Sequence, residues 1–205
     1  ERVRERRGTD RGAERGRDRA SGGSRRSGRG SYRPDAQKQQ TPEVRLEGIT
    51  RVFGEAVAND RVDLRLRPGT VHALVGENGA GKSTLMRILY GLLRPDGGRI
   101  YVDGREAPMS SPATALSNGI GMIHQHFMLV PVMTVLENIV LGTPEARGLR
   151  ALPRRMMARE LEALFARYGF DLSADDRIDQ LGVGGRQRVE ISRLLYRGAR
   201  VLICD

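Results

Sequence analysis

Residues 71–86 read VHALVGENGAGKSTLM, and this stretch decides the fold. The apolar run at residues 71–75 predicts a β-strand that leads directly into a glycine-rich loop. Beyond the loop, apolar residues recur at helical spacing and predict a helix over residues 83–93. Because the spacing G-x-x-x-x-G-K-S lies between a strand and a helix, it predicts a phosphate-binding loop. The loop consists of Gly76, Glu77, Asn78, Gly79, Ala80, Gly81, Lys82 and Ser83.

The residue types in this loop fit the chemistry of a bound triphosphate. Glycines let backbone N–H groups turn inward and approach phosphate oxygens, because no Cβ stands in the way. The start of the following helix adds its partial positive charge. Lys82 supplies an ammonium charge between the β- and γ-phosphates, and the Ser83 hydroxyl is a magnesium ligand in this geometry. We therefore expect ATP and Mg²⁺ as cofactors.

A second part of the site is predicted at the far end of the sequence. Four apolar residues, 201–204, predict a buried strand that ends on Asp205, with Cys204 as a small core residue. Ligands of open α/β sheets collect at the carboxyl ends of strands, so we expect the Asp205 carboxylate to hold the metal. No general base follows within reach. We expect this chain alone to bind nucleotide and to hydrolyse it weakly or not at all.

The remaining patterns predict an α/β domain around a mainly parallel sheet, because strands alternate with helices along the chain. Alternating or apolar runs predict further strands at residues 44–49, 62–66, 99–102 and 120–123. Apolar residues at helical spacing predict helices at residues 134–141, 154–168 and 187–195.

Composition divides the chain into a tail, residues 1–42, and a domain, residues 43–205. The tail contains no Leu, Ile, Phe or Met, and its thirteen Lys or Arg against six Asp or Glu give +7 of the formal net charge of +10. Such a segment cannot bury enough apolar surface to order itself, so we expect a disordered basic arm rich in Arg and Gly. The alternative is an arm that contacts RNA or anionic lipid. No apolar run approaches the ~20 residues of a membrane-spanning helix, so any membrane role is expected to pass through a partner.

From about residue 44 to Asp205, the sequence resembles the nucleotide-binding subunit of ABC transporters. Residues 76–84, including Thr84, are similar to the Walker A motif of that family, and residues 201–205 to its Walker B motif. Gln125, after the predicted strand, resembles the glutamine of the Q-loop, and Phe53 stands where the family stacks an aromatic ring on adenine. The segment Leu181, Gly182, Val183, Gly184 and Gly185 resembles a variant of the family's signature motif.

The resemblance is closest to importers of simple sugars and nucleosides, and it rests on residues 77–86, 124–131 and 187–191. Members of that subgroup usually carry two ATPase halves in one chain, and this sequence corresponds to most of the first half. The implied fold is a P-loop ATPase core with an antiparallel β subdomain and a helical subdomain at about residues 126–180.

The resemblance also implies roles for the site residues. Lys82, Gln125 and Asp205 are expected to serve catalysis, and Ser83, Gln125 and Asp205 to hold Mg²⁺. Phe53, residues 76–84 and Gln125 are expected to bind ATP. The signature is expected to act in trans, on the ATP of a second ATPase half or of a homodimer partner.

The resemblance implies a peripheral position at the cytoplasmic face of the cell membrane. The expected partners are transmembrane permease subunits and, indirectly, a solute-binding protein; nucleic acid is not expected. Met128, Val130, Val132 and Met133 are expected either to contact the membrane subunit or to pack internally. His124 and His126 are expected to be loop residues and not metal ligands, because no further ligands stand at suitable spacing.

Three departures from the family pattern stand out. Gly182 replaces the usual Ser, which removes a hydrogen bond to the γ-phosphate of order 1.5–3 kcal/mol. Gly185 and Arg186 replace the more usual Glu/Gln pair, and the family's catalytic glutamate would be residue 206, beyond the sequence. Two alternatives therefore remain open at this point: a soluble ABC-type ATPase that acts on nucleic acid or ribosomes through the basic tail, or a truncated, non-functional fragment.

Overall fold

The computed structural model describes residues 40–143 and 154–205, all of which belong to one compact unit, Pro34–Asp205. The predicted disordered tail lies outside the described residues, apart from residues 40–42. Among the described residues, no helix combines the length and the apolarity needed to cross a bilayer.

One half of the core is covered by a four-stranded antiparallel sheet. Its strands are β1 (Val44–Phe53), β2 (Ala56–Leu66), β3 (Gly97–Val102) and β4 (Arg105–Glu106), in the order β2-β1-β3-β4. Alternation at the start of β1 turns Val44 and Leu46 into the core, and the two side chains are fully buried. The predicted strands at residues 44–49 and 62–66 are therefore confirmed, and both extend further into a long hairpin.

The other half of the core contains two parallel strands, β5 (Ile120–Ile123) and β6 (Val201–Cys204). They pair in register from Ile120↔Val201 to Ile123↔Cys204. Helix α1 (Lys82–Leu89) packs between this pair and the antiparallel sheet, because Leu85, Ile88 and Leu89 share a core with residues of both sheets. Helix α2 (Pro112–Ser117) precedes β5.

Three further helices pack around a second core. They are α3 (Val135–Val140), α4 (Arg154–Tyr168) and α5 (Val183–Tyr196), and a 3-10 turn at Ile178–Gln180 precedes α5. The fully buried Phe165 and Leu161 of α4 contact the apolar faces of the other two helices. Thr134 and Glu137 cap α3 reciprocally, each side chain accepting a backbone N–H of the other residue. The predicted helices at 134–141 and 154–168 are confirmed, whereas α5 begins earlier than predicted and contains part of the signature.

The prediction of a strand at residues 71–75 is wrong. The structure shows no strand there, and Val71 and Val75 are 99% and 92% exposed. A strand needs a neighbour for its backbone groups, and none of the described strands pairs with this segment. A cavity of about 740 Å³ separates it from β6 instead, lined by residues of both.

Two smaller corrections concern the elements that flank the site. The predicted helix at residues 83–93 ends at Leu89, since Gly91 takes a positive φ of 77° and the Leu92 N–H returns to the Arg87 carbonyl. Cys204 is exposed and not a core residue, because it faces the cavity beside β6.

Candidate nucleotide-binding site

The glycine loop has a backbone that only glycine permits at its tightest point. Gly79 and Gly81 take positive φ angles of 87° and 82°. A Cβ on Gly81 would lie 2.0 Å from the carbonyl oxygen of Ala58 in β2, whereas a Cβ on Gly79 would meet nothing within 4 Å. The loop is therefore pressed against the β1–β2 hairpin at Gly81, which also forms the N-cap of α1.

The Lys82 ammonium group lies inside this loop. Its Nζ donates hydrogen bonds of 2.8 Å to the carbonyl oxygens of Gly76 and Glu77. Lys82, Ser83 and Thr84 form the first turn of α1, and no side chain caps that turn. The backbone N–H groups of a helix's first turn have no intrahelical partner, and they carry the positive end of the helix dipole. Ammonium, amides and dipole thus face the same space, where an anion binds favourably.

The predicted metal ligands from opposite ends of the domain are in contact. The Ser83 hydroxyl donates a 2.7 Å hydrogen bond to Oδ1 of Asp205. Asp205 directly follows β6, and its own N–H donates to the Ile123 carbonyl at 3.4 Å, which holds it beside the end of β5. A hydroxyl and a carboxylate oxygen are hard ligands of the kind that Mg²⁺ prefers. These residues therefore fit a Mg²⁺ ion at the mouth of the glycine loop.

Gln125 lies at the same edge. It follows the end of β5 by two residues and is exposed. Among the contacts of the described residues, its side chain makes no hydrogen bond to Ser83 or Asp205. The neighbouring His124 packs edge-on against Tyr90, with ring centroids 6.0 Å apart. Burial raises the pKa of the Tyr90 phenol.

Phe53 stands at the tip of the hairpin that contacts the glycine loop. It ends β1, pairs with Ala56, and is 45% exposed. The Arg51 guanidinium lies 4.7 Å from the ring centroid, and an ion pair of 2.8 Å fixes Arg51 to Asp96. A cation over one face stabilises the aromatic ring in place. The exposed part of the ring is available for stacking.

The signature segment forms the start of α5. Gly182 is the N-cap, and residues 183–185 form the first helical turn. A Cβ on Gly182 or Gly184 would meet nothing within 4 Å, and Val183 is 70% exposed, so this turn faces away from the rest of the described structure. Leu181 packs against the second core, and Arg186 Nε donates to the Ile178 carbonyl at 3.2 Å. Leu181 and Arg186 thus anchor an otherwise open glycine turn.

Comparison with known proteins agrees with this geometry. A model of the family described as ABC transporter matches residues 59–205. The chain belongs to the ABC transporter family. It is 48% identical over 162 residues to a nucleoside import ATP-binding protein of Lactococcus lactis, and 44% identical over 162 residues to a guanosine import ATP-binding protein of Bacillus subtilis. Each alignment covers 79% of this chain and 32% of the relative, so the chain spans about a third of the length of these relatives.

Solved ABC structures share the fold. A nucleotide-free ATP-binding cassette from an ABC transporter superposes with a TM-score of 0.68 at 28% identity, over 80% of this chain and 68% of that one. The predicted ABC-type P-loop fold, with its antiparallel and helical parts, is therefore confirmed. The helical subdomain boundaries at about residues 126–180 stay a prediction.

Asn59 contacts the glycine loop, and no pattern in the sequence points to it. Asn59 of β2 is only 5% exposed, and its Nδ2 donates to the carbonyl oxygen of Gly81 at 3.3 Å. Its Oδ1 is buried without a hydrogen-bond partner among the described residues. Asn59 pairs with Arg51 across the hairpin, so it joins the strand that carries Phe53 to the phosphate loop. A single polar residue in an alternating strand gives no signal that distinguishes it from a solvent-facing one.

The sequence left two roles open in the segment after Gln125, contact with a membrane subunit and internal packing. The residues of this segment differ in exposure. Met128 and Val132 are 62% and 70% exposed, so they are not core residues. Leu129 packs against the second core. Hydrogen bonds from a side chain also hold the backbone of this segment. The Asn138 side chain accepts the Val130 N–H at 2.7 Å and donates to the Val130 carbonyl at 3.1 Å.

Proposed function

We propose that this chain binds ATP with Mg²⁺ and forms part of an ATPase that powers an ABC importer of a simple sugar or nucleoside. The contact of 2.7 Å between Ser83 and Asp205 carries the proposal, because it brings the two expected metal ligands together beside Lys82 and the open helix start. The nucleoside class is supported by the relatives in Lactococcus lactis and Bacillus subtilis, which are nucleoside and guanosine import ATP-binding proteins. The simple-sugar class is supported by the resemblance of residues 77–86, 124–131 and 187–191.

Each residue has a distinct part in binding. Lys82 now donates hydrogen bonds to two loop carbonyls, and its ammonium would exchange them for phosphate oxygens. The N–H groups at the start of α1 would donate to the same phosphates. Ser83 and Asp205 would hold Mg²⁺, which when bound neutralises charge on the phosphates during phosphoryl transfer. Gln125 would approach the metal from the end of β5, and the exposed face of Phe53 would stack on adenine.

Partners follow from the parts of the site that face outward. The open glycine turn at Gly182 would meet the nucleotide of a second ATPase half or of a homodimer partner, and nucleotide would favour the closed pair. The exposed Met128 and Val132 would contact a permease subunit, which would place the protein at the cytoplasmic face of the membrane. A solute-binding protein would act through that permease.

Titration with a fluorescent ATP analogue tests the proposal. Lys82→Ala removes two charge-assisted bonds, and we expect binding to weaken about 100-fold. Arg87→Ala is the matched control, because it removes a positive charge from the exposed last turn of the same helix. Equal affinities of the unaltered chain and the Lys82→Ala variant would refute the proposed function.

A further inference from the structure

A buried carboxylate in the helical part has no role in the site described so far. The side chain of Glu190, in α5, is 3% exposed. Carboxylates are seldom buried this deeply unless they are paired, because an ionised group loses its hydration. The hydrogen-bond partners of Glu190 therefore indicate its role in the structure.

Glu190 and Arg193 together hold both backbone polar groups of Met128, in the segment that follows β5. Glu190 Oε1 accepts the Met128 N–H at 2.7 Å, and Arg193 Nη1 donates to the Met128 carbonyl at 2.7 Å. The two side chains lie one turn apart on α5, and Arg193 Nη2 also donates to Glu190 Oε1 at 3.4 Å. Both backbone groups of Met128 are thus bound by charged side chains, which form stronger hydrogen bonds than neutral ones.

This clamp joins two parts of the ABC site. Met128 follows Gln125 by three residues, so a shift at Met128 is passed to Gln125 through a tether of about 10 Å at full extension. At the other end, α5 begins with the signature turn, and Glu190 lies about two helical turns beyond Val183. The Asn138 contact to Val130 holds the same segment to α3.

We propose that Glu190 and Arg193 are positioning residues that hold Gln125 at the metal site and tie it to the signature helix. Metal ligands need placement within about 0.5 Å, which an exposed side chain on an untethered segment does not achieve. The clamp supplies that placement from a buried carboxylate that touches neither nucleotide nor metal. This inference rests on the proposed function, since Gln125 must face bound Mg²⁺-ATP.

The test compares the affinity of a fluorescent ATP analogue with Mg²⁺ and with EDTA. In the unaltered chain we expect tighter binding with Mg²⁺. Glu190→Ala is expected to reduce this Mg²⁺-dependent gain about 10-fold, as loss of a supporting contact behind a metal ligand does, and to leave affinity in EDTA unchanged. Gln125→Ala is expected to give the same pattern, and the double variant no further loss.

Two further variants separate positioning from mere stability. Glu162→Ala is the matched control, because Glu162 also accepts a backbone N–H, that of Ala174 at 2.9 Å, but within the helical part. It is expected to leave the Mg²⁺-dependent gain intact. Glu190→Gln keeps an acceptor for the Met128 N–H and weakens the pairing with Arg193, so it is expected to fold and to show an intermediate loss. Amide hydrogen exchange at Met128 is expected to quicken in both Glu190 variants.

The outcomes are distinguishable. An unchanged Mg²⁺-dependent gain in both Glu190 variants, an additive loss in the double variant, or an equal loss in Glu162→Ala would overturn the clamp while leaving nucleotide binding by Lys82 intact. Failure of the unaltered chain to bind the analogue at all would instead remove the proposed function, and this inference with it.

Discussion

Ser83 and Asp205 are 122 residues apart in the chain, yet the hydroxyl of one donates a 2.7 Å hydrogen bond to the carboxylate of the other. One residue belongs to the first turn of α1 and the other follows β6. The contact requires the glycine loop and the parallel pair β5–β6 to be packed in a fixed relation. It therefore links the phosphate-binding and metal-binding parts of the proposed site.

Asp205→Asn tests the metal part of this arrangement. The amide keeps the size of the carboxylate and still accepts the Ser83 hydrogen bond, but it carries no charge for Mg²⁺. We expect the Mg²⁺-dependent gain in affinity for the ATP analogue to fall about 10-fold or more, with little change in EDTA. Asp103→Asn, in the turn before β4, is the control. A full Mg²⁺-dependent gain in Asp205→Asn would exclude Asp205 as a ligand.

Gly81→Ala tests the close approach between the loop and β2. The added Cβ would meet the Ala58 oxygen at 2.0 Å, so the loop or the hairpin must shift. We expect a loss of stability of about 2 kcal/mol or more in urea unfolding, with loss of nucleotide binding. Gly79→Ala has a similar positive φ and open space, so it is expected to cost only about 1 kcal/mol. Equal costs for the two variants would contradict the contact.

Asn59→Ala tests whether the hairpin positions the phosphate loop. The variant loses the Nδ2 hydrogen bond to Gly81, which anchors the N-cap of α1. We expect affinity for the ATP analogue to weaken by about 5-fold, corresponding to roughly 1 kcal/mol. Asn118→Ala is the matched control, since its Nδ2 donates to the Thr114 carbonyl at the end of α2, away from the loop. The same affinity in both variants would leave Asn59 without this role.

Glu137→Gln tests the pH dependence of the capped helix α3. The backbone hydrogen bond at Thr134 is the largest of the effects that lower the pKa of Glu137 below 4.5, with Arg154 adding to it. The stabilisation is therefore complete above pH 4.5 and is lost as pH falls through the lower folded-state pKa. We expect the variant to be less stable at neutral pH, by about 0.5 kcal/mol because both side chains are partly exposed to solvent, and equal to the unaltered chain in strong acid.

Urea unfolding across the acid range measures this difference. Glu55→Gln, in the exposed turn between β1 and β2, is the control. A constant offset between Glu137→Gln and the unaltered chain at every pH would show that the carboxylate charge does not contribute.

The sequence pattern was sufficient to predict an element where the element's own residues show a clear periodicity or apolar run. The bounds of β5, α4 and β6 were predicted as the structure has them, because each has an unbroken apolar run or a helical repeat with clear ends. Residues 71–75 have an equally apolar pattern, but a strand also depends on a neighbour, which periodicity does not reveal.

In the candidate site too, local sequence pattern predicted some residues, whereas others depend on contacts that are distant in sequence. The glycine loop and Asp205 were predicted from spacing and from a strand end. Asn59 was not, because its partner, Gly81, is 22 residues away and a single buried amide has no sequence pattern. Glu190 was noticed only as part of a motif, and its purpose emerges from contacts with Met128, 62 residues away.

Cys204 has a practical consequence. It is the only cysteine in the sequence, it is exposed, and it adjoins Asp205 at the same cavity as Lys82 and Ser83. A thiol-reactive dye would therefore attach at one position without prior removal of competing cysteines. The protein carries a ready-made attachment point for an environment-sensitive reporter at the rim of the proposed nucleotide site.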